Sequence, residues 1–400
     1  MKDVKGVTSV LHVLLAGVST RAAAESAARA GFAVTAIDAF GDLDQHPAVR
    51  ILSPAHNFSA HATALSVQTI ECDAVVYLAS FENHPKAIST LAEGRVLWGN
   101  SPTTVRRVRD PQLLAEALRR RGFAVPQVRL KPDTTHVDRC VKGDSDPDWL
   151  VKPLASGGGL RIRKWDSETS LPRGCYLQEF VDGPCGSVVF VAAGGRAVPL
   201  CVSRQLVGEP AFGAEGYQYC ASILAAAGDP QFPQDEALMD AASALARAVA
   251  EEYDIIGVNG IDFVAREGVP YPIEVNPRWC ASMELVERAY GLSVFDVHAS
   301  ACSAGVLPEF DLGRARRDPR AVGKAVVYAR RDVTVGETRM WLTKHESIRD
   351  IPRPGSRIPS GQPVCTIFAD ARDAVTCHDA LVRRAECVYS DIAAWERGFA

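Results

Sequence analysis

The first hundred residues alternate between two hydrophobic periods. "SVLHVLLAG" (9–17) is a continuous apolar run of strand length, and "TRAAAESAARAG" (20–31) follows with its small apolar residues at helical spacing, stopped by Gly31. "FAVTAIDAF" (32–40) and "CDAVVYLAS" (72–80) predict further strands, "PKAISTLAEG" (85–94) a helix and "RVLWGN" (95–100) a short strand. Strands alternating with helices of this length predict βαβ units and a parallel sheet. The turn "AGVSTR" after the first strand sits where such sheets bind ligands, but it is not G-x-G-x-x-G, which argues against a dinucleotide. It reads either as a polar helix N-terminus that receives an anion or as a plain turn capped by Ser19 or Thr20.

Beyond residue 100 the pattern changes. "DPQLLAEALRRRG" (110–122) predicts a helix with Asp110 as N-cap and Pro111 at its first position. A polar stretch over 131–148 reads as a loop. "WLVKPLASGGGLRIRKW" (149–165) reads as strand, glycine loop, strand, and "GCYLQEFVDG" (174–183) as a strand leaving into a linker. The run 187–206 predicts a hairpin turning at two glycines. Residues 235–253, "DEALMDAASALARAVAEEY", carry acids in the first turn and Leu238, Ala241, Ala242, Leu245 and Val249 on one face, the clearest helix in the chain. From about 311 onward the chain predicts a β-rich region closed by a helix over 373–395.

Composition adds exclusions. A net charge of -4 gives no footprint for nucleic acid, and no window is apolar enough to span a membrane. The basic runs at Arg106-Arg107, Arg119–Arg121 and Arg316-Arg317 are interspersed with acids and read as solvated faces. The eleven cysteines show no C-x-x-C, and the start of the chain has no apolar leader after a basic segment. Reduced, buried cysteines in a cytoplasmic protein are the expectation.

Candidate chemistry concentrates in "IIGVNGIDFVA" (255–265) and "YPIEVNPR" (271–278), joined by "REGVP". Paired as a hairpin centred on Gly268, they place Asp262 opposite Glu274, with Asn276 on the same face as Glu274. Facing carboxylates destabilise a sheet unless a cation lies between them. Two carboxylates and an amide oxygen suit Mg²⁺, with Mn²⁺ as a substitute. Arg278, beyond Pro277, would face the same site and grip a phosphate or carboxylate. The alternative is a surface hairpin of solvated acids, which the apolar Ile261, Phe263, Ile273 and Val275 make less attractive. A second constellation is Lys152, a charge within a strand, followed by Ser156 and Gly157–Gly159, whose backbone N–H groups can close over phosphates. No Gly-Lys-Ser/Thr follows, so it is not a P-loop.

The order Lys in a strand, glycine loop, Gln-Glu-x-x-x-Gly, then Asp…Glu-x-Asn-x-Arg resembles the ATP-grasp superfamily of carboxylate–amine or carboxylate–thiol ligases over most of the chain. The narrower features "GVSTR", "DAFGDLD" and "VSRQL" resemble ligases of the tyramine–glutamate type. The resemblance implies an α/β and α+β architecture: a Rossmann-like pre-ATP-grasp domain (1–103), an ATP-grasp domain (104–310, with lobes of about 104–180 and 181–310) and a small C-terminal β-rich domain (311–400). It implies ATP and Mg²⁺ as cofactors, with small-molecule carboxylate and amine substrates, and leaves a homodimer open. Lys152 would contact the α-phosphate or adenine; Ser156, Gly157, Gly158 and Gly159 would form the lid. Gln178, Glu179 and Val181 would recognise adenine, and Asp262, Glu274 and Asn276 would hold the metal. Arg278 would orient the γ-phosphate and the acyl phosphate, and Arg204, with Gln205, would hold the acceptor. Two positions depart from the pattern. The earlier phosphate-binding lysine has only Arg106, Arg107 and Arg109 in its place, of which Arg106 is assigned the role. The ribose-binding acid after the hinge has no match beyond Asp182, since Cys185 and Ser187 stand there. The implied reaction forms an amide through an acyl phosphate; a carboxylase using bicarbonate and a non-catalytic ATP-binding module are the rivals.

Overall fold

The computed structural model describes residues 10–54, 58–130, 147–166, 169–318, 320–344 and 347–396, and the loop expected over 131–148 lies almost wholly outside them. The N-terminal strands form a five-stranded sheet in the order Val49–Leu52, Ala33–Ile37, His12–Ala16, Ala74–Tyr77, Val96–Leu97. Every pairing in it is parallel. His12–Ala16 and Ala74–Tyr77 are neighbours, so the strand order reverses beside Gly17, where a crevice opens at the carboxyl ends of the strands. The helix Arg21–Arg29 opens at Thr20 without a side-chain cap, so neither Ser19 nor Thr20 caps it. Thr20 instead donates its N–H and hydroxyl to Asp38, tying the two crevice loops together.

A second sheet runs Val128–Arg129, Cys175–Glu179, Trp149–Pro153, Arg163–Lys164, all antiparallel. The helix Pro111–Arg120 follows Asp110, whose carboxylate accepts from the N–H groups of Gln112 and Leu113, the cap the sequence predicts. The third sheet has eight strands, in the order Val269–Asn276, Gly257–Arg266, Cys185–Ala193, Arg196–Val207, Tyr219–Leu224, Ala321–Tyr328, Pro363–Ala371, Ile348–Arg349. The β-rich C-terminal region is therefore continuous with this sheet through the pairing of Tyr219–Leu224 with Ala321–Tyr328.

The helix Asp235–Tyr253 buries Leu238, Ala242, Leu245 and Val249 against one part of the large sheet. The helices Met283–Tyr290 and Val294–Ala304 contribute to a separate core cluster with Val189, Val191 and Leu200. The C-terminal helix Ala374–Glu396 packs on the strands at the far end of the sheet. The hairpin at Gly194-Gly195 turns with both glycines at positive φ, 55° and 70°, as a two-residue primed turn requires.

Candidate active site

The hairpin forms in the expected register. Gly257–Arg266 pairs with Val269–Asn276, and Asp262 lies directly opposite Glu274. A bulge between Asp262 and Phe263 shifts the pairing so that Phe263 faces Pro272. The two acids and Asn276 share a face. Asp262 accepts one hydrogen bond from Gln205 Nε2 at 2.9 Å and another from Asn276 Nδ2 at 2.9 Å. Burial, and then the facing Glu274 carboxylate, push the Asp262 carboxyl above the ordinary range, while Ser187, Gln205 and Arg278 oppose the shift. Burial would raise Glu274 too, but Arg109, Lys152 and Arg278 hold it below its usual value.

Arg278 donates through Nε and Nη2 to Glu82 Oε1 at 2.9 and 2.6 Å, and through Nη2 to Asn276 Oδ1 at 3.2 Å. Glu82 is buried just after the strand Ala74–Tyr77, and its other oxygen has no hydrogen-bond partner among the described residues. Tyr77 Oη and Asn100 Nδ2 both donate to Pro277 O. The crevice of the parallel sheet thus clamps the segment that carries Arg278.

Lys152 is buried and donates to Gln178 Oε1 at 2.9 Å and Ile273 O at 3.3 Å. The Gln178 side chain therefore serves Lys152. Glu179 is engaged as well: its N–H donates to Gln127 O and its carboxylate accepts from Gln127 N. The Val181 N–H donates to no described residue, and Val181 lines the cavity described below. Gly183 is held at φ 150°, and a Cβ there would lie 2.1 Å from Ala265 O, so only glycine lets the linker cross to the large sheet so closely. The glycine loop reaches over the cleft: Gly158 O accepts from Tyr219 N at 3.0 Å, and Gly159 approaches Tyr217 O.

One cavity of about 330 Å³ gathers most of these groups. Lys152, Gly158, Gly159, Gln178, Glu179, Val181, Asp262, Glu274, Asn276 and Arg278 all line it, with Ser187 and Gln205. Ser156 and Gly157 line a small adjoining pocket together with Lys152, Glu274 and Arg109.

Two expected residues are not brought there. Arg106 is exposed in the last turn of the helix Pro102–Val108 and lines neither the cavity nor the adjoining pocket. Arg109, one residue past that helix, takes the inward position: its guanidinium pairs with Glu274 and reaches Asn83 Oδ1 at 3.0 Å and Ser156 O at 3.2 Å. Its Nε is buried without a partner among the described residues. Arg204 turns to the opposite face of its strand, where it donates to Gln231 O and lies over the Phe232 ring. Gln205, its neighbour, faces the cavity by strand alternation. Glu82 and Asn83 were not legible, because nothing local marks "FENHP" as belonging to a site nearly 200 residues away in sequence.

The donor set fits a hard divalent cation. Asp262, Glu274 and Asn276 present oxygens on one face, and the mutual repulsion of the acids is the cost a bound cation would relieve. Among the described residues no third carboxylate, His or Cys joins them, so the remaining ligands would come from phosphate or water.

Comparison with known proteins bears on the fold. Residues 108–282 match the family model of the ATP-grasp domain. An uncharacterized protein of Methanocaldococcus jannaschii is 20% identical over 90% of this chain and 88% of its own length. The L-amino acid ligase of Bacillus licheniformis superposes with a TM-score of 0.67 at 17% identity, covering 94% of this chain and 97% of the ligase. Rhizobium etli pyruvate carboxylase superposes with a TM-score of 0.71 at 15% identity over 94% of this chain, which spans only 37% of the length of that enzyme. The fold is thus one shared by ligases and carboxylases. Among the described residues no helix is long and apolar enough to cross a membrane.

Proposed function

We propose that the protein is an ATP-dependent carboxylate–amine ligase that forms an amide through an acyl phosphate on small, amino-acid-like substrates. The observation that carries this reading is the convergence of Lys152, the glycine loop and the Asp262–Glu274–Asn276–Arg278 set on one cavity. Val181 N–H would receive the adenine edge at the hinge. Lys152 would hold phosphate charge from the small-sheet side, with Gln178 fixing its ammonium. Gly158 and Gly159 would exclude water by lying against Tyr217–Tyr219. Asp262, Glu274 and Asn276 would hold Mg²⁺, whose chemistry when bound is to neutralise the charge on the transferred phosphoryl group. Arg278, fixed by Glu82, would orient the γ-phosphate, and Arg109 supplies the second cation on the Glu274 side. Attack of a substrate carboxylate on the γ-phosphate releases ADP; attack of an amine on the acyl phosphate releases phosphate. No protein nucleophile is needed, and the rate would come from positioning and electrostatics.

The test is ADP release from Mg-ATP against pairs of amino acids and amines, with bicarbonate as a separate arm. ADP formation that needs both a carboxylate and an amine supports the ligase; turnover with bicarbonate and no amine supports a carboxylase. Glu274→Gln is expected to lower ADP formation at least about a hundredfold, the scale of removing one electrostatic anchor of a transition state. Undiminished turnover in that variant overturns the metal assignment.

A further inference from the structure

A second cavity, of about 640 Å³, adjoins the first and shares Ala281 with it. One wall is the loop after the strand Ala33–Ile37; the other is built from the C-terminal region. The loop is held firmly. Asp38 Oδ1 accepts from the N–H groups of Phe40 and Gly41, and Gly41, at φ 59°, gives its carbonyl to Arg353 Nε at 2.7 Å. Across from it, Asp350 sits at φ 54°, a left-handed conformation that few residues other than glycine, asparagine and aspartate adopt, fixed by its N–H bond to Asp44 and its 2.6 Å bond from Arg21 Nε.

Between these anchors Asp42 lines the cavity. It is only 5% exposed, and no described residue donates a hydrogen bond to its carboxylate. The nearby cations are committed elsewhere. Arg21 serves Asp350, Glu284 and Glu25; Lys324 serves Glu284; Arg349 serves Glu25 and lies near Asp44. Burial, then the carboxylates of Asp350, Asp38 and Asp44, push the Asp42 carboxyl well up, with Arg21 opposing. A buried, unpartnered carboxylate costs stability, so its placement calls for a ligand. Phe40 and Val326 offer an apolar surface beside it, and Arg353 and Arg357 line the same cavity, where a carboxylate of the same ligand would find a partner.

We propose that this cavity is the substrate subsite and that it selects a small molecule carrying a cationic ammonium group besides its reacting group, with Asp42 and Asp350 holding that nitrogen. The assignment rests on the ligase reading for the reaction that follows, but the binding itself does not. A nitrogen held on a carboxylate keeps its proton, so it is a handle for recognition, and the nucleophile or carboxylate lies elsewhere in the same molecule.

The test is calorimetric titration of the full chain, with and without Mg²⁺ and a non-hydrolysable ATP analogue. The probes are L-lysine, L-ornithine and cadaverine against L-norleucine, L-norvaline and n-pentanol. At least one cationic probe should bind about tenfold to a hundredfold more tightly than its neutral counterpart, as expected for a charge-assisted bond to a buried carboxylate. Asp42→Asn should erase that gap while leaving the affinity for the nucleotide analogue unchanged, and Asp42→Glu should restore part of it. Equal affinities across every pair, or a gap that survives in Asp42→Asn, would overturn the proposal. Failure of the analogue to bind the wild-type chain would instead count against the ligase reading, since the probes are also titrated without it.

Discussion

At the scale of single residues, the site turns on which of three neighbouring arginines looks inward. Arg106 and Arg107 end a helix on its exposed side, while Arg109 follows the last turn and lies against Glu274. Helical spacing alone could not choose Arg109, because it lies just beyond the periodic segment, at the C-cap. Arg109→Ala should therefore slow ADP formation about a hundredfold, the scale of losing a preorganised cation beside transferring charge. Arg106→Ala should stay within about twofold, like other surface changes away from a site. Steady-state ADP release from the two variants checks both, and equal losses would place the phosphate-binding cation back on the helix. Arg204 fails for a similar reason. A period of two puts Arg204 and Gln205 on opposite faces, but the sequence does not say which face is the cleft.

At the scale of elements, the hairpin was the most legible part of the site. Alternation of Ile273, Glu274, Val275 and Asn276, together with the Gly268 turn, fixes both the register and the face. The five-stranded parallel sheet was legible for the same reason, since its apolar runs are of strand length and separated by helices. Contacts between distant segments were not legible. The Glu82–Arg278 pair spans 196 residues, and the attachment of Ala321–Tyr328 to the large sheet depends on edge pairing that no local pattern encodes. The glycine loop lies between these cases: its flexibility was readable, its docking partner was not. Gly159 sits at φ 74°, and a Cβ there would be 1.8 Å from Tyr217 O, whereas a Cβ on Gly157 meets nothing within 4 Å. Gly159→Ala should therefore lift the loop off Tyr217–Tyr219 at a local cost of about 1–3 kcal/mol. Limited proteolysis in the absence of nucleotide reads this directly: cleavage near 155–160 accelerates about tenfold in Gly159→Ala and is unchanged in Gly157→Ala. Equal rates in both variants would mean that the docked loop is not the resting state.

At the scale of the whole molecule, three parts of the chain meet in one charge network, and its titration gives the pH dependence of stability. Arg21 at the start of the helix Arg21–Arg29, fully buried, joins Glu284 after the hairpin and Asp350 of the C-terminal region, and Lys324 shares Glu284. Burial would raise the Glu284 and Asp350 carboxyls, yet Arg21, helped by Lys324, holds both below their usual range. A depressed carboxyl contributes stability that is complete above its unfolded value, near pH 4, and is lost as pH falls through the lower folded value. Thermal stability of the wild type should therefore fall steeply below about pH 4. Glu284→Gln should lack much of that slope while being less stable at pH 7 by about 3 kcal/mol, because it leaves buried cations short of a partner. Asp42 titrates with the opposite sign. Its raised carboxyl contributes fully below the unfolded value, and that contribution is lost as pH rises through the folded one. Asp42→Asn should then melt higher than the wild type at pH 7 to 8, with the difference shrinking toward pH 4. Melting curves of the three proteins across that range separate the two effects: the network lowers stability on the acid side, and the unpaired acid lowers it on the neutral side. A gain for Asp42→Asn at neutral pH would mark Asp42 as a residue the fold carries at a cost, which is the expectation for a group kept for its ligand; a loss would mean that its carboxylate is already paired in the folded chain.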